Sequence, residues 1–163
     1  MYDPATRLQG LDAVRAAHPE NPAFLALAGL ATDARFDRNE LTITIAREDI
    51  IAAARAVQAA GYNFLEDVTA VDWYPSEPRI QITYHILSHS LKARIRLTVR
   101  LNGDDLALQS ITSVWPSANF YEREVFDLFG VRFSGHPKLT RIMMPLDWEG
   151  HPLRKDYPVE GYR

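Results

Sequence analysis

Two glutamates flank an arginine at Glu122-Arg123-Glu124, and paired carboxylates are the usual acid and base of an active site. The surrounding residues predict a helix over 115–128. On a helix, Glu122 and Glu124 lie about 200° apart around the axis, so they cannot face one substrate. We therefore expect both acids to favour the helix N-terminus, and Arg123 to pair with Asp127 one turn later.

Two histidines, His136 and His151, lie in Gly-His-Pro triplets, where a metal or a proton relay is conceivable. The acidic residues nearby are Asp147, Glu149 and Asp156. The spacing resembles no tight metal-ligand motif, and an imidazole between a glycine and a proline suits a backbone hydrogen bond that fixes the loop. We expect that structural role. The competing hypothesis is a small hydrolase that uses Glu122 or Glu124 with one of these histidines.

A second histidine pair, His85 and His89, falls on a predicted strand and its turn rather than on one helix face, so it is not expected to bind zinc. The next predicted strand carries a basic stripe of Lys92, Arg94, Arg96 and Arg100. A solvated outer face explains this stripe most simply, and docking of an acidic protein is the alternative. No aromatic residue interleaves with these cations, so nucleic acid is not expected to bind.

The composition of the 163-residue chain excludes several chemistries. Cysteine is absent, which excludes disulfides, thiolate zinc sites, cysteine-ligated iron–sulfur clusters and thiol nucleophiles. The net charge of −3 argues against binding to phosphate backbones. No glycine-rich phosphate loop, nucleophile elbow or dinucleotide fingerprint is present. On these residues, the chain is expected to hold no cofactor and not to be an enzyme by itself.

These residues are expected to be positioned by an α+β fold, with an antiparallel sheet of about four strands and helices on one face. Alternating apolar and polar residues predict strands at 41–45, 79–87, 91–101 and 106–112. Asn102-Gly103 favours a type I′ hairpin that returns the last strand antiparallel.

The predicted helices have identifiable ends. Helical spacing predicts one helix through Leu8, Leu11 and Val14, and a short one after Asn21-Pro22. A third helix opens at Glu48-Asp49 and stops at Gly61, while Asn119 and Gly130 are predicted to cap the helix over 115–128.

The N-terminus shows no cationic stretch followed by an apolar run, so no signal peptide is expected and the chain is expected to start as a cytosolic protein. The longest apolar stretches fall far short of the ~20 residues that span a bilayer. Any membrane contact is therefore expected to be peripheral.

The chain is expected to divide into an α+β domain over residues 1–112 and a segment over 113–163 that holds a helix and an extended docking tail. Prolines block regular helix and internal strand pairing in the tail, so residues 131–163 are expected to find backbone partners on another subunit. The expected apolar anchors are Phe133, Met143, Met144, Trp148 and Tyr157, fringed by Arg141, Arg154, Lys155 and Asp156. The alternative is that this tail wraps its own domain.

The stretch from Ser110 to Val131, with Glu122-Arg123-Glu124 at its centre, resembles the C subunit (the 30 kDa-type subunit) of NADH:quinone oxidoreductase, respiratory complex I. The continuations 133–145 and 147–158 are also similar to that family, whereas the first 109 residues match it only in outline. The chain stops at Arg163, so a fusion with the D subunit is not expected.

This resemblance implies a cofactor-free structural subunit in the peripheral arm of a proton-translocating NADH:quinone oxidoreductase, on the cytoplasmic side of the inner (plasma) membrane. It implies packing against the D subunit and near the B subunit, with FMN, iron–sulfur clusters and quinone in partner subunits. The alternative is the equivalent subunit of a membrane-bound hydrogenase or a related NDH-type complex. The partner-binding residues expected on this basis are Glu122, Arg123, Glu124, His136, Arg141, Trp148, His151, Arg154, Lys155 and Asp156.

Overall fold

This computed structural model describes residues 7–161, which form α-helices and β-strands. The helices are α1 (Leu11–Ala17), α2 (Pro22–Ala26), α3 (Ile50–Ala59) and α4 (Ala118–Phe129). The strands are β1 (Leu8–Gln9), β2 (Ala31–Asp37), β3 (Glu40–Ile45), β4 (Phe64–Asp72), β5 (Ile80–Ser88), β6 (Ala93–Leu101), β7 (Ala107–Gln109) and β8 (Arg132–Ser134). The predicted α+β class is confirmed.

Six strands form one sheet in the order β1-β2-β3-β6-β5-β4. Neighbouring strands are antiparallel except β3 and β6, which run parallel with Leu41 opposite Ile95. The sheet therefore has more strands than the expected number of about four, and it is mixed rather than wholly antiparallel, because β3 and β6 run parallel. The missed strands β2 and β4 each contain a register shift, at Ala31/Asp33 and Leu65/Asp67. Such bulges interrupt the period-two pattern by which a strand is identified in sequence.

The core lies on one face of this sheet. Ile82 of β5, Leu97 of β6 and Val57 of α3 are fully buried. Val125 of α4 and Phe133 of β8 belong to the same buried cluster. Phe133 therefore anchors its own domain rather than a partner, and the helix after residue 112 shares the core of the sheet.

The segment after β6 does not form the predicted hairpin. Strand β7 pairs instead with β8, in parallel, as a separate two-stranded sheet. Strand β6 is flanked on one side by β3 and on the other by β5, so it has no free edge to offer a returning strand. The left-handed residues of a type I′ turn occur at Arg38 and Asn39, between β2 and β3.

Residues 135–161, here called the strap, follow β8 in turns and bends without a helix or strand. Three prolines, at 137, 145 and 152, remove backbone donors from the first two thirds of the strap. Across residues 7–161, none of the helices has both the length and the apolar composition needed to cross a membrane.

Candidate docking site between helix α4 and the strap

Helix α4 begins three residues later than predicted, at Ala118, and its N-cap Ser117 makes no side-chain capping bond. The predicted Asn119 cap is wrong, because Asn119 lies inside the first turn. Pro116 disfavours a helical conformation at the preceding Trp115, which explains the late start. The predicted stop is confirmed: Gly130 adopts the left-handed conformation, with φ of 79°.

Glu122 does not favour the helix N-terminus as predicted but points into the core, where its side chain is fully buried. Its carboxyl accepts hydrogen bonds from the Ser110 hydroxyl at 2.6 Å and the Ile111 amide at 2.8 Å. Burial raises the pKa of Glu122 to about 7, because desolvation outweighs these hydrogen bonds. Glu122 cannot reach a partner surface while α4 keeps this orientation, whereas Glu124 is exposed.

Arg123 binds the strap rather than Asp127, so the predicted one-turn ion pair is wrong. Its Nε donates to the carbonyl of Thr140 at 3.0 Å and its NH2 to the carbonyl of Arg141 at 3.1 Å. A guanidinium presents several donors in one plane, which suits two successive carbonyls. Arg123 thus ties the middle of α4 to the start of a strap turn.

Asp127 is the centre of the junction. It is fully buried, and its Oδ2 accepts the backbone amides of Ile142, Met143 and Met144 at 2.8–2.9 Å. Its Oδ1 accepts from the Arg141 guanidinium at 2.5 Å. Desolvation acts to raise the pKa of this carboxyl, but the amide bonds and Arg141 outweigh it and hold the pKa below its usual value. A single carboxylate thus holds four consecutive strap residues.

Arg141 extends the same network through the strap. Its NH2 donates to the carbonyls of Trp148 and Gly150, both at 2.9 Å, and its NH1 also reaches the carbonyl of Asp127. Arg141 therefore closes the strap segment 141–150 into a loop that is anchored on α4.

The end of the strap caps the C-terminus of α4. Three carbonyls that have no partner within the helix, those of Asp127, Leu128 and Phe129, are bound by the His151 ring, the Leu153 amide and Arg154 Nε. Gly130 permits this approach, because a Cβ there would lie 2.6 Å from the His151 ring and 2.7 Å from the Arg154 guanidinium. Desolvation lowers the pKa of His151, although its bond to the Asp127 carbonyl opposes that shift.

His136 lies at the opposite end of the helix. Its Nε2 is 3.1 Å from the carbonyl of Asn119, and its Nδ1 accepts the Lys138 amide. Each histidine hydrogen-bonds to backbone, as predicted for a residue that fixes a loop. Their partners on α4 are eight residues apart, about 12 Å along the axis. Glu122 is buried and so is not available for the hydrolase hypothesis, and each histidine ring is bonded to a backbone carbonyl of α4.

A second clasp ties the strap to β4. The Asp72 carboxylate, almost fully buried, accepts two bonds from Arg79 and one from the Lys155 amide at 2.8 Å. Arg79 bridges on to Asp156 through two further bonds of 2.6 and 2.9 Å. Hydrogen bonds from Arg79 hold the pKa of Asp72 well below its usual range against the effect of burial. Lys155 is held through its backbone, and its side chain is exposed.

While its backbone is held inward, the strap leaves large apolar side chains in solvent. The exposed ones are Ile142, Met143, Leu146, Trp148, Leu153 and Val159. Met143 is 61% exposed and Leu146 82% exposed. Among the described residues, no cluster of three or more side chains of metal-binding type is present.

Sequence reasoning missed Asp72 and Arg79, and gave Asp127 the wrong partner. The partners of Asp127 lie 14 to 17 residues away in a segment without periodicity, so no local pattern could reveal them. The burial of Glu122, in contrast, could have been predicted from the spacing of apolar residues in the sequence. It shares the apolar face of α4 with Ala118, Val125 and Phe129, at positions i, i+4, i+7 and i+11.

A chain of similar fold occurs in a respiratory membrane complex. A membrane-bound sulfane sulfur reductase, an archaeal respiratory membrane complex, contains a chain with a TM-score of 0.73 and 27% identity, over 83% of this chain and 82% of that one. The trypsin-resistant fragment (1-134) of Nqo5 gives a TM-score of 0.58 and 34% identity, over 61% of this chain and 83% of that one.

The sequence comparisons assign the chain to one family of respiratory-complex subunits. The chain belongs to the family of the respiratory-chain NADH dehydrogenase 30 kDa subunit, whose model matches residues 43–163. The NADH-quinone oxidoreductase C subunit of Citrifermentans bemidjiense is 46% identical over 76% of this chain and 78% of its own length. The C subunit of Roseiflexus castenholzii is 43% identical over 86% of this chain and 85% of its own length. The resemblance found in the sequence is thereby confirmed.

Proposed function

We propose that this chain is a cofactor-free structural subunit in the peripheral arm of a proton-translocating NADH:quinone oxidoreductase. It packs against the D subunit and near the B subunit, and so supports electron transfer from NADH to quinone. FMN, the iron–sulfur clusters and quinone belong to partner subunits. The complex holds the chain peripherally on the cytoplasmic side of the inner (plasma) membrane.

One observation carries the docking part of this proposal: the strap bonds many of its backbone groups to its own domain and leaves large apolar side chains exposed. Met143 and Leu146 are held in solvent by a backbone that Asp127 and Arg141 fix. A fixed backbone loses little conformational entropy when it binds, and exposed apolar anchors of this size are typical of interface centres. The strap therefore favours a partner with an apolar surface.

The predicted partner-binding residues take two roles in this proposal. Those with exposed side chains contact the partner directly: Glu124, Trp148, Lys155 and Asp156. Those that bond the strap to the domain hold it in its docking shape: Arg123, His136, Arg141, His151 and Arg154. Glu122 supports α4 from the core.

The test is co-purification of the tagged full chain from solubilised native membranes, with the companion proteins identified by mass spectrometry. We expect the D and B subunits of the oxidoreductase among these companions. Leu146→Asp should reduce their recovery at least tenfold, because it buries a charge at the interface. Leu25→Asp is the matched control, since Leu25 is 63% exposed on α2, outside the strap.

Retention of all companions by Leu146→Asp would refute docking through the strap. Recovery of the unaltered chain without any companion would refute the subunit role itself. The cofactor-free part is tested separately: the isolated chain should show no absorbance above the protein region and no stoichiometric iron or flavin.

The second candidate is the equivalent subunit of a membrane-bound hydrogenase or a related NDH-type complex. It is supported by the similarity to a chain of the sulfane sulfur reductase over most of both lengths. The same co-purification separates the two: a companion that binds NADH favours the first candidate, and a complex that lacks one favours the second.

A further inference from the structure

A cavity of about 490 Å³ opens where two hairpin turns meet, and it shares no residue with the α4–strap junction. Arg38 and Asn39 form the turn before β3, and Lys92 lies in the turn before β6. Because β3 and β6 are parallel neighbours, both turns come to the same end of the sheet. The topology therefore places residues far apart in sequence around one opening.

The cavity is lined by an aromatic and aliphatic floor. Leu41 and Tyr62 are almost fully buried, and Phe36 and Leu87 complete this floor. The His18 ring extends it, with its centroid 4.2 Å from that of Phe36. Ligand sites typically combine such an apolar lining with a few polar groups, in cavities of about 300–1,000 Å³.

One polar group at the floor has no partner among the described residues. Tyr62 is only 1% exposed, yet no hydrogen bond to its hydroxyl is found in the described part of the chain. Tyr62 lines the cavity, and its hydroxyl is not among the fully buried polar atoms without a partner. A hydroxyl that solvent can reach bonds water when no ligand is present, and a ligand atom can replace that water.

The rim of the cavity is cationic. Its charged side chains are those of Arg38, Lys92, Arg94 and Glu40, of which only Glu40 is acidic. Glu40 lies 3.3 Å from Arg94 and also pairs with Arg96, so this acid is already engaged by cations. Arg94 is held in turn by Glu40 and by Glu66, whose carboxylate lies 2.7 Å from its Nε. Lys92 has no ion pair among the described residues, so it is the rim cation that can face a ligand anion.

We propose that this cavity binds a small aromatic carboxylate. The flat apolar body lies on Phe36 and Leu41, the carboxylate faces Lys92 at the rim, and Tyr62 donates its hydroxyl to an oxygen of the ligand. The combination of an apolar floor, a donor without a partner and a cationic rim selects this class over neutral apolar molecules and over small inorganic anions.

The experiment titrates the isolated full chain with 2-naphthoate and with its neutral amide, 2-naphthamide, while amide chemical shifts are followed by NMR. The two probes share the apolar body and differ in charge. We expect naphthoate to bind roughly fivefold tighter, as about 1 kcal/mol from one charge pair implies. The shifted amides should cluster at residues 36–41, 62 and 87–94.

Variants identify the groups responsible. Lys92→Gln should abolish the difference between the two probes, and Lys92→Arg should keep it. Tyr62→Phe should weaken naphthoate severalfold while the chain stays folded. Lys138→Gln, at an exposed residue of the strap, is the control and should change neither affinity. Equal affinities for the two probes, or shifts that cluster away from these turns, would overturn the proposal.

Discussion

Replacing Asp127 with asparagine tests whether one buried carboxylate holds the strap on helix α4. The substitution keeps the size of the side chain but turns one oxygen into an amide that cannot accept a hydrogen bond. If the remaining oxygen keeps the amides of residues 142–144, the new NH₂ group faces the Arg141 guanidinium, donor against donor. If the amide flips, three backbone donors lose their acceptor.

The cost follows from these contacts. A hydrogen bond to a charged group contributes about 1.5–3 kcal/mol, and breaking a buried ion pair by removing one partner costs about 3–5 kcal/mol. Because Arg141 is slightly exposed and keeps its carbonyl partners, we expect the free energy of unfolding to fall by about 3 kcal/mol, near the lower bound. For a domain of this size, that lowers Tm by roughly 6–12 °C.

The assay is thermal and urea unfolding of the isolated full chain, with limited trypsin digestion to follow the strap. We expect faster cleavage after Lys138 and Arg141 in the variant, because its strap opens more often. Asp147→Asn is the matched control, since Asp147 is exposed in the same strap. A Tm within about 2 °C of the unaltered chain, with unchanged cleavage, would refute the role of Asp127.

Three further substitutions test other parts of the structure. Burial raises the pKa of Glu122 to about 7, so the stability that protonated Glu122 contributes is present below about pH 4 and is lost as the pH rises towards 7. Glu122→Gln should make the free energy of unfolding, measured with urea, less dependent on pH and up to about 3 kcal/mol higher than that of the unaltered chain at pH 8. An equal pH dependence in both proteins would contradict this. Gly130→Ala should reduce stability by about 1–3 kcal/mol more than Gly135→Ala, because both glycines have positive φ but only Gly130 lies against the His151 and Arg154 side chains. Equal melting temperatures would show that these two side chains move aside without cost. Val125→Pro, inside α4, should cost roughly 3 kcal/mol or more, and an unchanged Tm would argue against the helix.

Strands were predictable where their pattern was local and uninterrupted. Strand β6 alternates strictly along its nine residues and β5 along its first seven, and both were predicted within two residues of their ends. The hairpin at Asn102-Gly103 failed for a reason that is not local: β3 and β5 already occupy both edges of β6. A turn dipeptide favours a hairpin locally, but a strand can pair only with a free edge of the sheet.

The candidate site was predictable in its residues but not in its contacts. The histidines were expected to fix loops through backbone bonds, and each does so at one end of α4. The acids of α4 were misassigned because a capping pattern at Asn119 competed with the apolar spacing that places Glu122 in the core. Charged residues on a helix are usually exposed, so only the fold could place Asp127 beneath the strap.

The strap also changes the reason for expecting a partner. Its prolines prevent regular pairing, and its backbone groups must therefore be bonded elsewhere. From the sequence, those bonds were expected on another chain, but Asp127, Arg123 and Asp72 of the same domain supply many of them. The tail thus wraps its own domain, as the alternative had it, and several of its large apolar side chains remain exposed. Removing residues after Gly130 would then strip Asp127 and the end of α4 of their partners, so it would weaken the domain as well as any docking surface.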